Sequence, residues 1–332
     1  MRAAVVGGGV AGATLAWRLR TAGVDVTAYA PEAEDASGAS GGLVRGFEVD
    51  ADASRAAAES LAELRSDERV RDWAGYRETG SVYVTAKDVT PSVDSVEDVL
   101  PGSASVVDAA GLARRFGFRD LTADAVGVVE RHAGHFSPAR FREHALRWLA
   151  GHGGDVRTER VTEVSAGAVV RTPGGTTGFD AVVVAAGAWT PRLVGGEPLR
   201  SKQIQYGLYR LPIPCPVSFV DDRTGLYGRP AGDGAFLLGL GCDRWDVDPD
   251  GVTPDHDLAA RVLDTARRRF GVTGGAGTAD RVVASFDCYR SPAGLRLVRV
   301  GAGVFTFTGG SGGAAKTVLA ASRRAAEELV AA

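Results

Sequence analysis

The opening residues show a strand, a glycine turn and a helix in immediate succession. An apolar stretch ends at Val5 and Val6, three glycines follow, and residues 13–20 have the spacing of a helix that Gly23 ends. Residues 24–29 alternate between apolar and polar positions, which predicts a second, half-buried strand. This order is typical of the first unit of a nucleotide-binding α/β fold.

Two later stretches predict that the same sheet continues elsewhere in the chain. Residues 179–189 contain a continuous apolar run, which is typical of a strand buried on both faces. Residues 305–308 predict a strand that enters a second glycine turn, and residues 314–330 predict a terminal helix. The sheet is therefore expected to be assembled from distant parts of the chain.

The intervening segments predict further helices and strands. Ser137 and Pro138 mark a helix start, because serine is a favoured N-cap and proline suits the first helical position, and residues 141–149 then carry an apolar stripe. Two more helices are predicted at residues 54–64 and 257–270. The other predictions are strands at 79–85, 161–164, 202–209, 226–229 and 235–240, a hairpin turn at 172–175 and a surface loop at 101–105.

The fold class that follows is α/β (α+β), a Rossmann-type domain with an inserted domain built on a mixed or antiparallel sheet. The chain shows neither a tandem repeat nor a separable linker. The predicted nucleotide-binding domain is discontinuous and consists of residues 1–75, 135–198 and 287–332. The predicted substrate domain consists of residues 76–134 and 199–286, where Gly and Pro turns separate strand-like pieces.

Composition and charge exclude several classes of function. The chain has 332 residues, 45% of them hydrophobic, and a formal net charge of −3, so no binding to nucleic acid or an anionic membrane is expected. No apolar stretch reaches bilayer length, and the first strand leaves no room for a signal peptide, so a cytoplasmic location is expected. Cys215, Cys242 and Cys288 lack a zinc-like spacing, so neither disulfides nor a structural metal is expected. The frequent Ala, Gly and Arg residues indicate a GC-rich, bacterial source.

The glycines of the first turn have separate structural tasks. Gly7 allows a tight turn, Gly9 lets backbone amides approach a pyrophosphate, and Gly12 lets the helix pack closely on the strand. The helix N-terminus then directs unpaired N–H groups at the phosphates. Because the chain has 45 glycines, this pattern needs support from other segments.

Two features after the second strand concern the same nucleotide. The acid that usually binds a ribose hydroxyl is expected at the strand end, where the chain has Ala30. Glu32 either reaches the ribose from the following loop or is a solvated surface charge. Residues 37–45 form a loop of mostly small residues, which is either a close wall for a large flat ligand or a flexible connection.

In combination, these segments resemble the FAD-dependent D-amino-acid oxidase superfamily, which includes glycine oxidase and monomeric sarcosine oxidase. The resemblance covers essentially the whole chain, and it depends on the order and spacing of its motifs. The motifs are residues 7–12, 37–42, 78–81, 137–138, 184–189, 227–230 and the glycine turn 309–313 with the helix after it. The resemblance implies a Rossmann-type domain that binds FAD beside a mixed sheet that covers the flavin.

The glycine pattern and the resemblance together give a set of expected FAD contacts. These residues are Gly7, Gly9, Gly12, Glu32, Ser37, Ala39, Ser40, Gly41, Gly42, Val161, Ala186, Gly187, Trp189, Cys288, Gly309, Ser311, Gly312, Gly313 and Lys316.

The resemblance also implies roles for four side chains. Cys288 matches the cysteine that sarcosine oxidase bonds covalently to the flavin, although glycine oxidase has no such bond and a buried, unbonded cysteine stays the alternative. Arg290 matches an arginine that grips the substrate carboxylate with two parallel N–H donors, the alternative being a surface ion pair. Lys316 matches a lysine that stabilises negative charge on the reduced flavin, the alternative being a solvated lysine. Arg45 is expected near the flavin from the loop alignment.

Leu237 departs from the family pattern. It aligns with a lysine that assists the reaction with oxygen in sarcosine oxidase, so the electron acceptor is either oxygen or another molecule. Tyr206, Tyr209 and Tyr227 either line the substrate pocket or pack in the core.

The expected reaction is the oxidation of a C–N bond in an amino acid or a small carboxylate-bearing amine, by hydride transfer to FAD. It would give an imine and, with oxygen as acceptor, H2O2. A flavin dehydrogenase with another acceptor, a flavin monooxygenase and a non-enzymatic flavin-binding protein are the alternatives. The expected partners are a small-molecule amine and an electron acceptor.

Overall fold

The computed structural model of the chain describes residues 1–33, 35–195, 198–275 and 277–331. The strands of the described residues are β1 (Arg2–Val6), β2 (Asp25–Tyr29), β3 (Leu43–Val44), β4 (Arg77–Glu78), β5 (Ser81–Thr85), β6 (Ala104–Asp108), β7 (Val126–Glu130), β8 (Gly134–His135), β9 (Asp155–Arg157), β10 (Glu163–Ser165), β11 (Val169–Thr172), β12 (Gly175–Gly178), β13 (Ala181–Val184), β14 (Arg200–Arg210), β15 (Ser218–Asp221), β16 (Leu226–Gly232), β17 (Ala235–Gly239), β18 (Arg281–Tyr289), β19 (Arg296–Gly301) and β20 (Val304–Thr308).

The helices connect and cover these strands. They are α1 (Val10–Thr21), α2 (Ala51–Ser66), α3 (Glu68–Ala74), α4 (Thr90–Val99), α5 (Ala109–Phe116), α6 (Pro138–Gly151), α7 (Thr190–Leu193), α8 (His256–Phe270) and α9 (Ala314–Ala331), with 3-10 turns at Gly187–Trp189 and Ser311–Gly313. Because strands and helices alternate along much of the chain, the predicted α/β class is confirmed.

A six-stranded sheet brings the three predicted parts of the chain together. Its order is β19-β20-β13-β1-β2-β9, and every pair is parallel except β19 with β20. Val5 lies between Ala28 of β2 and Val183 of β13. The carboxyl ends of β1, β13 and β20 therefore lie at one edge, where α/β sheets bind their ligands.

Three helices cover one face of this sheet, and a fourth packs on them. The helix α1 packs against α6 and α9, and α9 packs against α2. Trp17 of α1 makes edge contacts with Trp73 and Phe141, at ring-centroid distances of 5.5 and 6.2 Å. Ser137 caps α6, because its hydroxyl accepts a hydrogen bond from the backbone N–H of Arg140. This apolar layer fixes the start of α1 beside the sheet edge.

An eight-stranded sheet forms the other large layer. Its order is β18-β14-β17-β16-β15-β5-β7-β6, and its neighbours are antiparallel except for β15 with β5. The helix α8 covers one face, where Tyr209 donates a hydrogen bond to the carbonyl of Ala259 at 2.9 Å. Between α8 and the sheet, Arg269 of α8 forms a buried ion pair with Asp221 of β15, with Nε and Oδ2 2.6 Å apart. On the opposite face, Arg229 of β16 and Leu237 of β17 contact Gly41 in the loop before β3.

Two small three-stranded sheets, β3-β8-β4 and β10-β11-β12, complete the fold. The predicted hairpin at residues 172–175 joins β11 and β12 and is confirmed. The predicted surface loop at 101–105 is wrong at its end, because Ala104 already pairs with Glu130 in β6. The predicted domain boundary between residues 286 and 287 falls inside β18, and the division into two domains stays a proposal. No helix in the described ranges has the length and apolarity needed to cross a bilayer.

Candidate active site

A long cleft of about 540 Å³ opens at the carboxyl edge of the six-stranded sheet. Its walls come from the turn between β1 and α1, the loop after β2, the end of β13, the end of β18 and the turn between β20 and α9. Its volume is in the range of small-molecule and cofactor sites. Both glycine turns lie on its wall, and the part of the cleft at each turn is called the first and the second end below.

The first glycine turn forms a cradle that leaves no space for side chains. Gly7 has φ +122°, and a Cβ there would overlap the carbonyl oxygen of Ala185. A Cβ on Gly12 would overlap the carbonyl oxygen of Gly7, so α1 packs directly on the turn. Gly9 is the N-cap of α1 without a capping side chain, and the N–H of Val10 donates to Ser37 Oγ at 2.9 Å. This helix start, close to bare backbone, fits the pyrophosphate of a dinucleotide.

The loop after β2 supplies two acidic residues of the cleft wall. Glu32 is exposed on the cleft wall, and Ala30 stands so close to Gly8 that a Cβ on Gly8 would lie 2.5 Å from that of Ala30. Asp35 also lines the cleft, forms an ion pair with Arg142 of α6 and accepts a hydrogen bond from the N–H of Gly38 at 2.8 Å. Sequence reasoning considered only Glu32 as the acid of this loop. Asp35, three residues further on, could have been considered on the same grounds.

The second glycine turn lies against the end of β18. Gly309 has φ +82°, and a Cβ there would lie 2.9 Å from the Cβ of Arg290. A bridge joins Tyr289 to Gly310, so β18 and β20 meet at this end of the cleft. Gly309 and Gly312 are on the cleft wall. The absence of side chains here leaves room for a flat ring system against the backbone.

Cys288 is half-buried on the same wall. Burial raises the pKa of its thiol, while hydrogen bonding with the Thr308 side chain and the Gly309 backbone acts in the opposite direction. Of the three cysteines, Cys288 alone lies among the described cleft residues. Cys215 and Cys242 are buried in the core under the eight-stranded sheet, as expected for small apolar residues.

Arg290 lies two residues after Cys288 and is not among the residues that line the described cleft. Its side chain is 8% exposed, and its stem packs on Gly309. The alternative interpretation, which made Arg290 part of a surface ion pair, is therefore wrong, because the side chain is buried. A role in binding a carboxylate stays a prediction.

A buried group of charges lies directly behind the second glycine turn. Lys316 of α9 forms an ion pair with Glu48, and Arg45 lies 3.3 Å from the same carboxylate. Burial on its own raises the pKa of Glu48, but Arg45 and Lys316 outweigh it and lower the pKa. Burial lowers the pKa of Lys316, Arg45 lowers it further, and Glu48 opposes both. The expected alternative of a solvated Lys316 is wrong, since the helix turns this residue inward.

A second buried carboxylate holds the loop that carries Arg45. Glu130 is 1% exposed and accepts hydrogen bonds from the N–H groups of Gly46 and Phe47, at 2.8 and 3.0 Å. Burial raises its pKa, although these two donors oppose the rise. Sequence reasoning missed Glu48 and Glu130, because Lys316 and the N–H groups of Gly46 and Phe47, which they bind, are distant in the chain and no motif contains the two acids.

Asp287 is an acidic residue of the cleft wall beside the second glycine turn, and sequence reasoning did not single it out. It is 9% exposed and lies opposite Lys202 in the pairing of β18 with β14. Burial raises its pKa to about 6, while Lys202 and Lys316 act to lower it. The position next to Cys288 was the only signal in the sequence.

The loop at residues 40–44 contacts the eight-stranded sheet. Leu237 packs so closely that a Cβ on Gly41 would lie 3.4 Å from its Cδ1, and Arg229 Nε donates to the carbonyl of Gly41 at 2.9 Å. Tyr227 lies across Gly239 and donates a hydrogen bond to the carbonyl of Gln205 at 2.9 Å. Tyr209 packs under α8, so packing is the interpretation that holds for Tyr209.

The cleft gathers most of the residues expected to contact the cofactor. Those on its wall are Gly7, Gly9, Glu32, Ser37, Ser40, Val161, Ala186, Gly187, Trp189, Cys288, Gly309, Ser311 and Gly312. The expected residues outside the described wall are Gly12, Ala39, Gly41, Gly42, Arg45, Arg290, Gly313 and Lys316. The residues present fit FAD, because two side-chain-free turns are joined by one continuous cleft.

Comparisons with known proteins identify the family and the fold. The sequence profile of a family described as FAD dependent oxidoreductase matches residues 2–328. The structure of L-proline dehydrogenase from P. horikoshii superimposes with a TM-score of 0.85 at 14% identity, over 99% of this chain and 93% of that one. The structure of glycine oxidase from Bacillus cereus superimposes with a TM-score of 0.76 at 17% identity, over 99% of this chain and 95% of that one. The structure of NikD, an amino acid oxidase of nikkomycin biosynthesis, superimposes with a TM-score of 0.77 at 21% identity, over 98% of this chain and 92% of that one. No curated protein sequence matches the chain significantly.

Proposed function

Because the chain belongs to the FAD-dependent oxidoreductase family, we propose that it binds FAD in this cleft and oxidises a C–N bond of an amino acid or a small carboxylate-bearing amine. The observation that carries the proposal is the continuity of the cleft between the two glycine turns. Similar structures bear the names glycine oxidase, amino acid oxidase and L-proline dehydrogenase, which supports an amine substrate.

The two ends of the cleft have different tasks in this proposal. The start of α1 would hold the pyrophosphate, and Glu32 and Asp35 would face the nucleoside. The turn at Gly309 and Gly312 would carry the flavin ring. When bound, the flavin accepts a hydride from the carbon next to the substrate nitrogen.

Side chains near the second turn would bind the substrate and adjust the charge. Arg290 would bind the carboxylate with its paired N–H donors. Lys316 lies just behind the turn, since a Cβ on Gly313 would be 3.9 Å from its Nζ, and with Arg45 it would stabilise negative charge on the reduced ring. Glu48 moderates this positive charge through its ion pairs.

The proposal is tested by loading the purified protein with FAD and mixing it, without oxygen, with glycine, N-methylglycine, L-proline and both enantiomers of common amino acids. Loss of the yellow flavin absorbance with one of these amines supports it. An oxidised flavin with every amine, together with reduction by NADPH, would instead select the monooxygenase alternative.

The reoxidation step separates an oxidase from a dehydrogenase. Leu237 offers no charge where it packs on Gly41, which favours slow reaction with oxygen and a non-oxygen acceptor. Admitting air to the reduced enzyme decides this: rapid recovery of colour with H2O2 identifies an oxidase, and slow recovery that an artificial acceptor accelerates identifies a dehydrogenase.

Cys288 is the cysteine that would form a covalent bond to the flavin. Its place on the cleft wall supports the bond, and its raised pKa opposes it, because the thiolate is the reactive form. Acid precipitation of the holoprotein tests it: colour that stays in the pellet for the wild type and for Cys215→Ala, but not for Cys288→Ala, establishes the bond. Colour in the supernatant of the wild type shows that the FAD is dissociable.

A further inference from the structure

Asp287 occupies a distinctive place in the cleft. Among the described residues, the acids on the cleft wall are Glu32, Asp35 and Asp287, and the first two belong to the nucleotide end. Asp287 lies beside the second turn, where a Cβ on Gly312 would be 3.1 Å from its Oδ2. Within the described part of the chain, its carboxylate takes part in no hydrogen bond or ion pair.

The groups that face this carboxylate come from four elements. Lys202 of β14 and Lys316 of α9 lower its pKa, and burial raises the pKa more strongly, to about 6. Tyr227 of β16 and Tyr289 of β18 also lie close enough for Asp287 to raise their pKa values, as does Cys288 beside it. A buried carboxylate of this kind, open to a cleft, is ionised at neutral pH and ready to take a proton.

The proposed reaction needs such a group. A free amine is protonated at neutral pH, and its nitrogen then has no lone pair to form the C=N bond as the carbon loses a hydride. The proton must therefore leave before oxidation, and the acceptor has to stand near the reacting end of the cleft. No other carboxylate of the described cleft wall is at that end.

We propose that Asp287 binds the substrate ammonium group and accepts its proton, which deepens the proposed function and rests on it. One N–H bond breaks, its electron pair stays on nitrogen, and one O–H bond forms on Asp287, so this step involves no oxidation. The neutral amine is then oxidised by the two-electron reduction of FAD, and the proton later leaves Asp287 through the cleft. The step requires an N–H proton on the ammonium group, which primary, secondary and tertiary amines provide, and quaternary ammonium compounds are excluded.

The kinetic test compares Asp287→Asn with Asp280→Asn, an exposed acid just before the same strand. With the amine found in the substrate screen at low concentration, the wild-type rate of flavin reduction should rise with pH and level off above the Asp287 pKa. Asp287→Asn should lower the plateau about 10²-fold and lose this inflection, whereas Asp280→Asn keeps both. An unchanged rate and pH profile in Asp287→Asn would overturn the inference and leave the proposed function intact.

Two further variants keep the test valid if Asp287→Asn does not fold. Asp287→Glu retains a carboxylate and should retain an inflection. Lys202→Met removes a cation that lowers the Asp287 pKa, so the inflection should move to higher pH. An inflection that stays at the wild-type pH in Lys202→Met would contradict the assignment to Asp287.

A binding readout tests the same inference without turnover. Methylammonium should raise the melting temperature of the FAD-loaded wild type well above the Asp287 pKa but not well below it, and Asp287→Asn should lose the effect. Tetramethylammonium, which has no N–H, should give a smaller shift. Equal shifts in wild type and Asp287→Asn would overturn the inference even if no amine in the screen reduces the flavin, which by itself would count only against the proposed function.

Discussion

The two ends of the cleft are built in different ways. At the first turn, backbone and missing side chains form the site, and Gly7, Gly12 and the start of α1 do this within a few residues. At the second turn, side chains from β14, β18 and α9 converge with the loop that carries Glu48. The first end is therefore a local property of the sequence, and the second exists only after the chain has folded.

The two ends also handle charge differently. Asp35 is paired with Arg142, as expected of an acid in a structural ion pair. Asp287 instead faces the cleft with a pKa raised to about 6, and Lys316 lies buried with a lowered pKa. Unfavourable burial of ionisable groups is retained at reacting sites more often than elsewhere, so this contrast supports the proposal that the flavin ring lies at the second glycine turn.

Gly12→Val should break the first end completely. The new side chain would overlap the carbonyl oxygen of Gly7, and the cost of separating α1 from the turn should exceed about 4 kcal/mol. We expect no soluble FAD-loaded protein, measured as the flavin-to-protein ratio after purification with added FAD. Gly151→Val is the control, because a Cβ at Gly151 meets nothing within 4 Å, and normal FAD content in Gly12→Val would contradict the proposed packing.

Lys316→Met should break the charge arrangement of the second end. It leaves Glu48 partly buried with Arg45 as its remaining partner, so the free energy of unfolding should fall by about 3 kcal/mol in chemical denaturation. Adding Glu48→Gln should recover much of this loss. Arg324→Met, at an exposed ion pair with Glu59, should cost less than about 1 kcal/mol, and an equal cost at both sites would contradict the difference in burial.

Asp287→Asn should change how the free energy of unfolding depends on pH. Because folding raises the pKa of Asp287 from 3.8 to about 6, the wild type loses stability as pH rises through this interval. The FAD-free Asn variant should therefore be more stable than the wild type at neutral pH, by at most about 3 kcal/mol, and equal to it below about pH 4. Urea denaturation across this range measures the effect, and a constant difference would show that the Asp287 pKa is not raised.

Ser37→Ala should produce the smallest effect. It removes the acceptor of the Val10 N–H at the start of α1, which should cost about 1 kcal/mol and weaken FAD binding about fivefold in a fluorescence titration. Ser165→Ala is the control, because the Ser165 hydroxyl hydrogen-bonds with Glu163 outside the described cleft. An unchanged affinity in Ser37→Ala would mean that this hydroxyl does not organise the nucleotide end.

The sequence allows the sheet and the first end to be predicted because both leave local patterns. The glycine spacing at Gly7 and Gly12, the cap at Ser137 and the apolar run of β13 each need only neighbouring residues to be recognised. Glu130, by contrast, accepts hydrogen bonds from the N–H groups of Gly46 and Phe47, which are more than 80 residues away in the chain. No local sequence pattern predicts such a contact. Asp287 also has no recognisable sequence pattern, since its raised pKa arises from burial that exists only once the sheets have assembled.

The most direct test of this account is the crystal structure of the FAD-loaded protein. We predict the adenosine part beside Glu32 and Asp35, the pyrophosphate at the start of α1, and the flavin ring at Gly309 and Gly312 with its reacting face toward Asp287. A flavin ring at the opposite end of the cleft, or FAD bound outside it, would contradict the account.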